Sequence, residues 1–407
     1  MNDILFCCNR ARQPMGSGVS LGEFTDESAV RIRTFHQSFP EYAQTPLVSL
    51  SHLAKTFGLG SIFVKDESRR FGLNSFKVLG GAYAIGCLLA RRLGRALENT
   101  GFDVLRSPEI RRQLGDITFV TATDGNHGRG VAWTARQMGM DAVVYMPKGA
   151  ARIRVDNILS TGASCTVTDL NYDDTVRLAN ANGEKNGWIM VQDTAWDGYE
   201  DIPRWIMQGY MTLAVEALEQ LRASGVKGPT HLFLQAGVGS FAGAVLGYFA
   251  ATLGDDLPVT TIVEPHQANC IYTSIAAGDG RPHSVTGDLD TLMAGLACGE
   301  PSTISWKILR DYASASISCP DYIAANGMRI LGSPLPGDEG IISGESGAVT
   351  TGILEWLMTS PAASSMRESL KLGPDSSVLL ISTEGDTFPQ LYRDIVWHGK
   401  YPDGGVS

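Results

Sequence analysis

Lys77 stands in Phe71-Gly72-Leu73-Asn74-Ser75-Phe76-Lys77-Val78-Leu79-Gly80-Gly81-Ala82-Tyr83, an ammonium group among apolar and glycine neighbours. Desolvation disfavours the charged form of a lysine, lowers its pKa and makes it a nucleophile able to form a Schiff base with a carbonyl. That chemistry points towards pyridoxal phosphate. The same segment also reads as an amphipathic lysine snorkelling from the start of a helix. Other parts of the chain must decide between the two.

Four polar or glycine-rich segments follow short apolar runs: Thr123-Asp124-Gly125-Asn126-His127-Gly128, Gln192-Asp193-Thr194, Gln235-Ala236-Gly237-Val238-Gly239-Ser240 and Ser382-Thr383-Glu384-Gly385-Asp386. In open parallel sheets ligands bind beyond the carboxyl ends of strands, so these are the places to seek chemistry. Gly237-Val238-Gly239-Ser240 opens a helix whose free amides and positive dipole end suit a phosphate. With Ala242 it also satisfies the Gly-x-Gly-x-x-Ala dinucleotide fingerprint, and Glu264 follows the next strand where a ribose-binding acid would lie. A nicotinamide-dependent dehydrogenase is therefore a rival, and a turn that serves only close strand-helix packing is a third reading.

Asp124 is either a cap for the helix that follows or a base. A carboxylate and a lysine on opposite faces of one substrate carbon would give two bases, one for each hand of a chiral centre. Asp193, also at a strand end, adds a negative charge that could attract a cationic substrate group, or it forms a turn. His127 has no other His, Cys or acid at ligand spacing, so it reads as a hydrogen-bonded structural histidine, and no metal is assigned.

These loops need a parallel sheet to hold them. From about position 118, short β-branched runs alternate with longer helical patterns, the mark of βαβ units and of an α/β protein. Strands are expected over 118–122, 142–146, 165–168 and 188–191, with helices over 128–138 and 152–159 between them, enough for one small sheet. After Pro203 a long amphipathic helix leads to a second set of strands over 231–235, 260–263 and 377–381. A strand over 61–65 joins one of the two sheets; pattern does not say which. The segment 331–342 reads as a loop and the first thirty residues as loosely structured.

The 407 residues are 43% hydrophobic and 19% charged, ample for a sizeable core. With 33 basic against 43 acidic residues the formal net charge is -10, which opposes nucleic acid and anionic membrane surfaces and leaves small-molecule chemistry. No leader pattern and no run of about 20 apolar residues is present, so a cytoplasmic location is expected. Seven cysteines form no Cys-x-x-Cys pair, and buried thiols are the default. Cys270 and Cys298 lie near the expected site and could form a redox-sensitive pair.

Val64-Lys65-Asp66-Glu67-Ser68, the segments 71–83, 121–133, 192–200, 293–301 and 381–387, and Asp169-Leu170-Asn171-Tyr172-Asp173-Asp174 together resemble the fold type II pyridoxal phosphate enzymes. More closely, the chain from about Phe35 onward resembles the diaminopropionate ammonia-lyase family. Asp124 carries that distinction, because related dehydratases typically have serine there. The resemblance implies two open, mostly parallel sheets flanked by helices, a large cofactor-binding domain from 1–88 plus 200–407, and a small domain from 89–199. It implies that Lys77 holds pyridoxal phosphate, that Gly237, Val238, Gly239 and Ser240 bind its phosphate, that Asn126 meets its ring hydroxyl, and that Ser382 faces its pyridine nitrogen. Lys77 would be the base for L-2,3-diaminopropionate and Asp124 for the D-form, with pyruvate and two ammonia as products. A homodimer is carried over by analogy. Glu345 resembles a glutamate near the cofactor of tryptophan synthase β, without an assigned role. A serine or threonine dehydratase is the alternative within the class.

Overall fold

The computed structural model describes residues 4–402. Among them the strands are β1 (Leu5–Cys8), β2 (Leu47–Ser49), β3 (Ser61–Asp66), β4 (Thr118–Ala122), β5 (Asp141–Met146), β6 (Ser164–Val167), β7 (Ile189–Met190), β8 (His231–Gln235), β9 (Val259–Pro265), β10 (Ala315–Cys319) and β11 (Ser377–Ser382). They form a seven-stranded sheet in the order β1-β10-β9-β8-β11-β3-β2 and a four-stranded sheet in the order β6-β5-β4-β7. The small sheet is parallel throughout, and the large one is parallel except at its two edges, where β1 and β2 run antiparallel to their neighbours. Central strands of such a sheet are covered on both faces and read as continuous apolar runs. β8 and β11 fit this, since His231–Gln235 is buried at every position and Ser377–Ser382 at all but the first.

The strand expected over 61–65 pairs with β11 from Ser61↔Ser377 to Asp66↔Ser382, which puts it in the large sheet. From residue 4 to residue 30 the chain is more ordered than expected, and residues 1–3 of the stretch expected to be loose lie outside the described residues. β1 pairs with β10, and a helix over Asp26–Gln37 starts at Thr25, whose side chain accepts from the Ser28 amide. The helix expected from 128 starts at Asn126, and only Ile189–Met190 of the expected 188–191 strand pairs with β4.

Three helices converge behind Lys77: Lys77–Arg92, Asn126–Gln137 and Asp201–Ala223. Glycine permits their close approach. A Cβ at Gly209 would lie 2.5 Å from Leu79 O, and one at Gly130 would lie 2.9 Å from Val78 Cα. A buried ionic network ties β3 to the long helix. Lys65 Nζ donates to Glu216 Oε2 at 2.8 Å and to Thr45 O at 2.7 Å, while Arg70 bonds both Glu67 and Glu216, all four charged side chains being fully buried. Among the described residues no helix is long and apolar enough to cross a membrane.

Candidate active site

The loops at the carboxyl ends of β3, β4, β7, β8 and β11 meet in one cavity. Its walls include Lys77, Asp124, Asn126, Tyr172, Asp193, Gln235, the segment Gly237 to Ser240, Thr383 and Glu384. Lys77 is the first residue of its helix, and the approach to it is pinned against the end of β11. The Phe76 amide donates to Thr383 O at 3.1 Å, Ser75 bridges Glu384, and Gly385 N donates to Asn74 O at 3.1 Å. Asn74 takes φ +61° to make that turn, and the Phe76 ring lies 4.7 Å from those of Tyr210 and Phe241. The lysine is therefore held at the cavity wall by backbone bonds and ring packing on both sides.

Lys77 Nζ lies 2.5 Å from Asp193 Oδ2. Asp193 Oδ1 in turn accepts from the Tyr172 hydroxyl at 3.2 Å and from Gln192 Nε2 at 3.3 Å. This corrects the expectation of a depressed lysine. Burial alone lowers its pKa, but the charges of Asp193, Tyr210 and Asp124 outweigh burial and hold the amine well above its ordinary value. Asp193 is likewise opposed by burial, yet Lys77 and His127 hold it below the usual carboxylate range. In the free protein the pair is an ammonium and a carboxylate.

Gly239 adopts φ +92° at the entrance to the helix Ser240–Leu253, whose first turn receives no side-chain cap. The first amides of a helix have no intrahelical partner, so they face the cavity as donors. A Cβ at Gly239 would sit 2.9 Å from Leu309 Cδ1 and 3.0 Å from Ser305 Oγ. The Ser240 hydroxyl donates to Asp193 O at 2.5 Å, which ties this turn to the partner of Lys77.

Asp124 does not serve as the helix cap. Gly125 holds the N-cap position, and Thr123 Oγ1 accepts from Gly125 N at 2.9 Å and Gly128 N at 3.0 Å. Asp124 instead walls both this cavity and a larger outer one that also contains Arg154 and Glu345.

The sequence matches the family described as "Pyridoxal-phosphate dependent enzyme" over residues 39–384. The chain belongs to the pyridoxal-phosphate dependent enzyme family. A curated diaminopropionate ammonia-lyase of Salmonella typhimurium is 55% identical over 393 residues, 96% of this chain and 97% of that one. Two crystal structures of the Escherichia coli diaminopropionate ammonia lyase, one in complex with an aminoacrylate-PLP azomethine reaction intermediate and one with D-serine, are each 50% identical. They superpose with TM-scores of 0.90 and 0.91 and cover 98% of this chain and 98% of their own. The two sheets are the fold type II architecture of this family, and the chain is a pyridoxal phosphate-dependent lyase.

The residues present suit the family's cofactor. An amine at the wall can hold its aldehyde, and the uncapped glycine turn, already too close-packed for a Cβ, can take its phosphate. Ser382 stands just behind the wall, its hydroxyl donating to Ser343 Oγ at 2.8 Å, while Thr383 and Glu384 face the cavity. Glu345 lies in the outer cavity and ion-pairs Arg154.

The dinucleotide reading fails at Glu264. Its carboxylate accepts the amides of Ile271 at 2.8 Å and Tyr272 at 2.6 Å, capping the helix Cys270–Ala277, and burial pushes its pKa up to about 8. His127 Nε2 donates to Val191 O at 2.8 Å, and among the described residues no group of His, Cys, Asp and Glu side chains is arranged to hold a metal ion. Cys270 and Cys298 are buried free thiols. Glu384, Tyr172 and Gln235 escaped sequence reasoning as individual side chains. Glu384 lies inside a segment singled out for its position, but nothing in linear spacing brings it to Asn126.

Proposed function

We propose that this enzyme catalyses the α,β-elimination of 2,3-diaminopropionate, in both its L and D forms, to pyruvate and two ammonia. The observation that carries this reading is that one cavity is walled by the Lys77 amine, the Asp124 carboxylate and the glycine turn at 237–239. The names of the relatives at 53–55% identity support the substrate.

Pyridoxal phosphate supplies an aldehyde for the substrate amine and an acceptor for the electrons released at Cα. Lys77 Nζ would hold it covalently, the amides from Gly237 to Ser240 would hold its phosphate, and Asn126 would meet its ring hydroxyl. A neutral hydroxyl at the end of β11, from Ser382 or the adjacent Thr383, would leave the ring nitrogen unprotonated, which suits elimination better than transamination.

Lys77 Nζ takes the α-proton of the L-form and Asp124 that of the D-form. The electron pair of the Cα–H bond becomes the Cα–Cβ double bond, and the β-nitrogen leaves with its bonding pair as ammonia. The released 2-aminoacrylate tautomerises and is hydrolysed by one water to pyruvate and the second ammonia. Asp193, the carboxylate that pairs with the Lys77 amine in the cofactor-free protein, attracts the substrate's ammonium. The extra ammonium of a diamino acid also offsets the repulsion between Asp124 and the substrate carboxylate, which serine cannot do.

A product assay with each enantiomer tests the proposal. Two ammonia per pyruvate from both forms is expected, and absence of pyruvate from both would overturn it. The resemblance further supports a large lobe of 1–88 with 200–407, a small lobe of 89–199 and a homodimer, the last testable by sedimentation.

A further inference from the structure

Glu384 is a buried carboxyl, 2% exposed, in the wall of the catalytic cavity. It is fixed from every side. Its backbone bridges Ser75 and its carbonyl accepts from Gly344 N at 2.9 Å. Its side chain packs so closely on Gly344 that a Cβ there would meet Glu384 Cγ at 3.0 Å. Its Oε1 accepts from Ser346 N at 3.1 Å, and its Oε2 accepts from Asn126 Nδ2.

A carboxylate only accepts, whereas the side-chain amide of asparagine has two N–H donors on one end and a bare oxygen on the other. Glu384 therefore decides which end of Asn126 points where. One N–H is committed to the carboxylate, and because the amide is planar the direction of the second is then fixed. Without Glu384 the amide is free to turn over and present its oxygen instead.

We propose that Glu384 is a positioning residue that locks the Asn126 amide so that its remaining N–H is presented to the ring hydroxyl oxygen of the cofactor. This rests on the reading of Asn126 given above. The charged groups facing Glu384 are Glu345 and Asp124, which oppose its ionisation, and Arg154, which favours it. Burial first and Glu345 second push its pKa up to about 7, so the lock strengthens as pH rises through neutrality.

The test is a double-mutant cycle on cofactor binding, read by the visible absorbance and the dissociation constant of pyridoxal phosphate added to cofactor-free protein. Glu384→Ala and Asn126→Ala should each weaken binding about tenfold and shift the visible band, and the double variant should be no weaker than Asn126→Ala alone. Glu384→Gln, which keeps an acceptor oxygen and the shape, should restore most of the loss and abolish the pH dependence near neutrality. Additive effects of the two alanine variants would overturn the inference, as would an unchanged band in Glu384→Ala. If Glu384→Ala fails to fold, Glu384→Gln decides by the presence or loss of that pH dependence. Failure of wild-type protein to form any chromophore would instead refute the cofactor reading itself.

Discussion

Lys77 Nζ and Asp193 Oδ2 form a 2.5 Å ion pair in the wall of the cavity, with the aspartate anchored by the Tyr172 hydroxyl and the lysine by the start of its helix. The two shifts define one pH window. Asp193 is depressed on folding, so its contribution to stability is present above its unfolded pKa of about 3.9 and is lost as pH falls through the folded value. Lys77 is raised, so its contribution is present below about 10.4 and is lost as pH rises beyond it. Asp193→Asn should cost cofactor-free protein about 3 kcal/mol at neutral pH and little at the extremes. Urea unfolding across the pH range checks this.

Asp124 lies in the cavity wall, while the neighbouring Thr123 hydroxyl accepts the amides of Gly125 and Gly128 at the start of the helix Asn126–Gln137. Asp124→Ser should lower kcat/KM for D-diaminopropionate by about 100-fold or more, with the L-form changed only a few-fold. Steady-state pyruvate assays with each enantiomer measure it. Equal losses for both would remove the proposed division of labour.

Gly239 holds a left-handed φ of +92°, and the side chains of Leu309 and Ser305 occupy the space that a Cβ there would need. Gly239→Ala should strain the turn by about 1 to 3 kcal/mol and weaken pyridoxal phosphate binding about tenfold or more. A fluorescence titration of cofactor-free protein reports it directly.

Glu216 joins Lys65 and Arg70 beneath the sheet. Glu216→Ala leaves two buried cations without their shared counter-charge, so the loss should be about 3 to 5 kcal/mol of folding stability. Because these groups lie away from the cavity wall, kcat of the folded fraction should stay near that of the parent. Denaturant unfolding and active-site titration together separate the two effects.

The loops that make the site were legible because each follows an apolar strand and each is built of small or polar residues. Asp124, Asp193 and the segment 237–240 follow three different strands, and the structure brings all three to Lys77. β10 was not legible. Ala-Ser-Ile-Ser-Cys has one β-branched residue, and it forms a strand because β9 and β1 supply hydrogen bonds on both sides. The charge state of Lys77 was misjudged for a related reason. Local sequence reports burial, whereas the counter-charge comes from a residue 116 positions away. Glu264 followed the spacing of a ribose ligand, yet its carboxylate is saturated by two amides of the helix it caps. Spacing could not reveal that.

Borohydride reduction followed by peptide mapping tests the covalent role of Lys77 most directly. Protein supplied with pyridoxal phosphate should lose its visible band on reduction and carry a single phosphopyridoxyl group on Lys77. A mark on another lysine, or no mark after the cofactor has been supplied, would contradict the account.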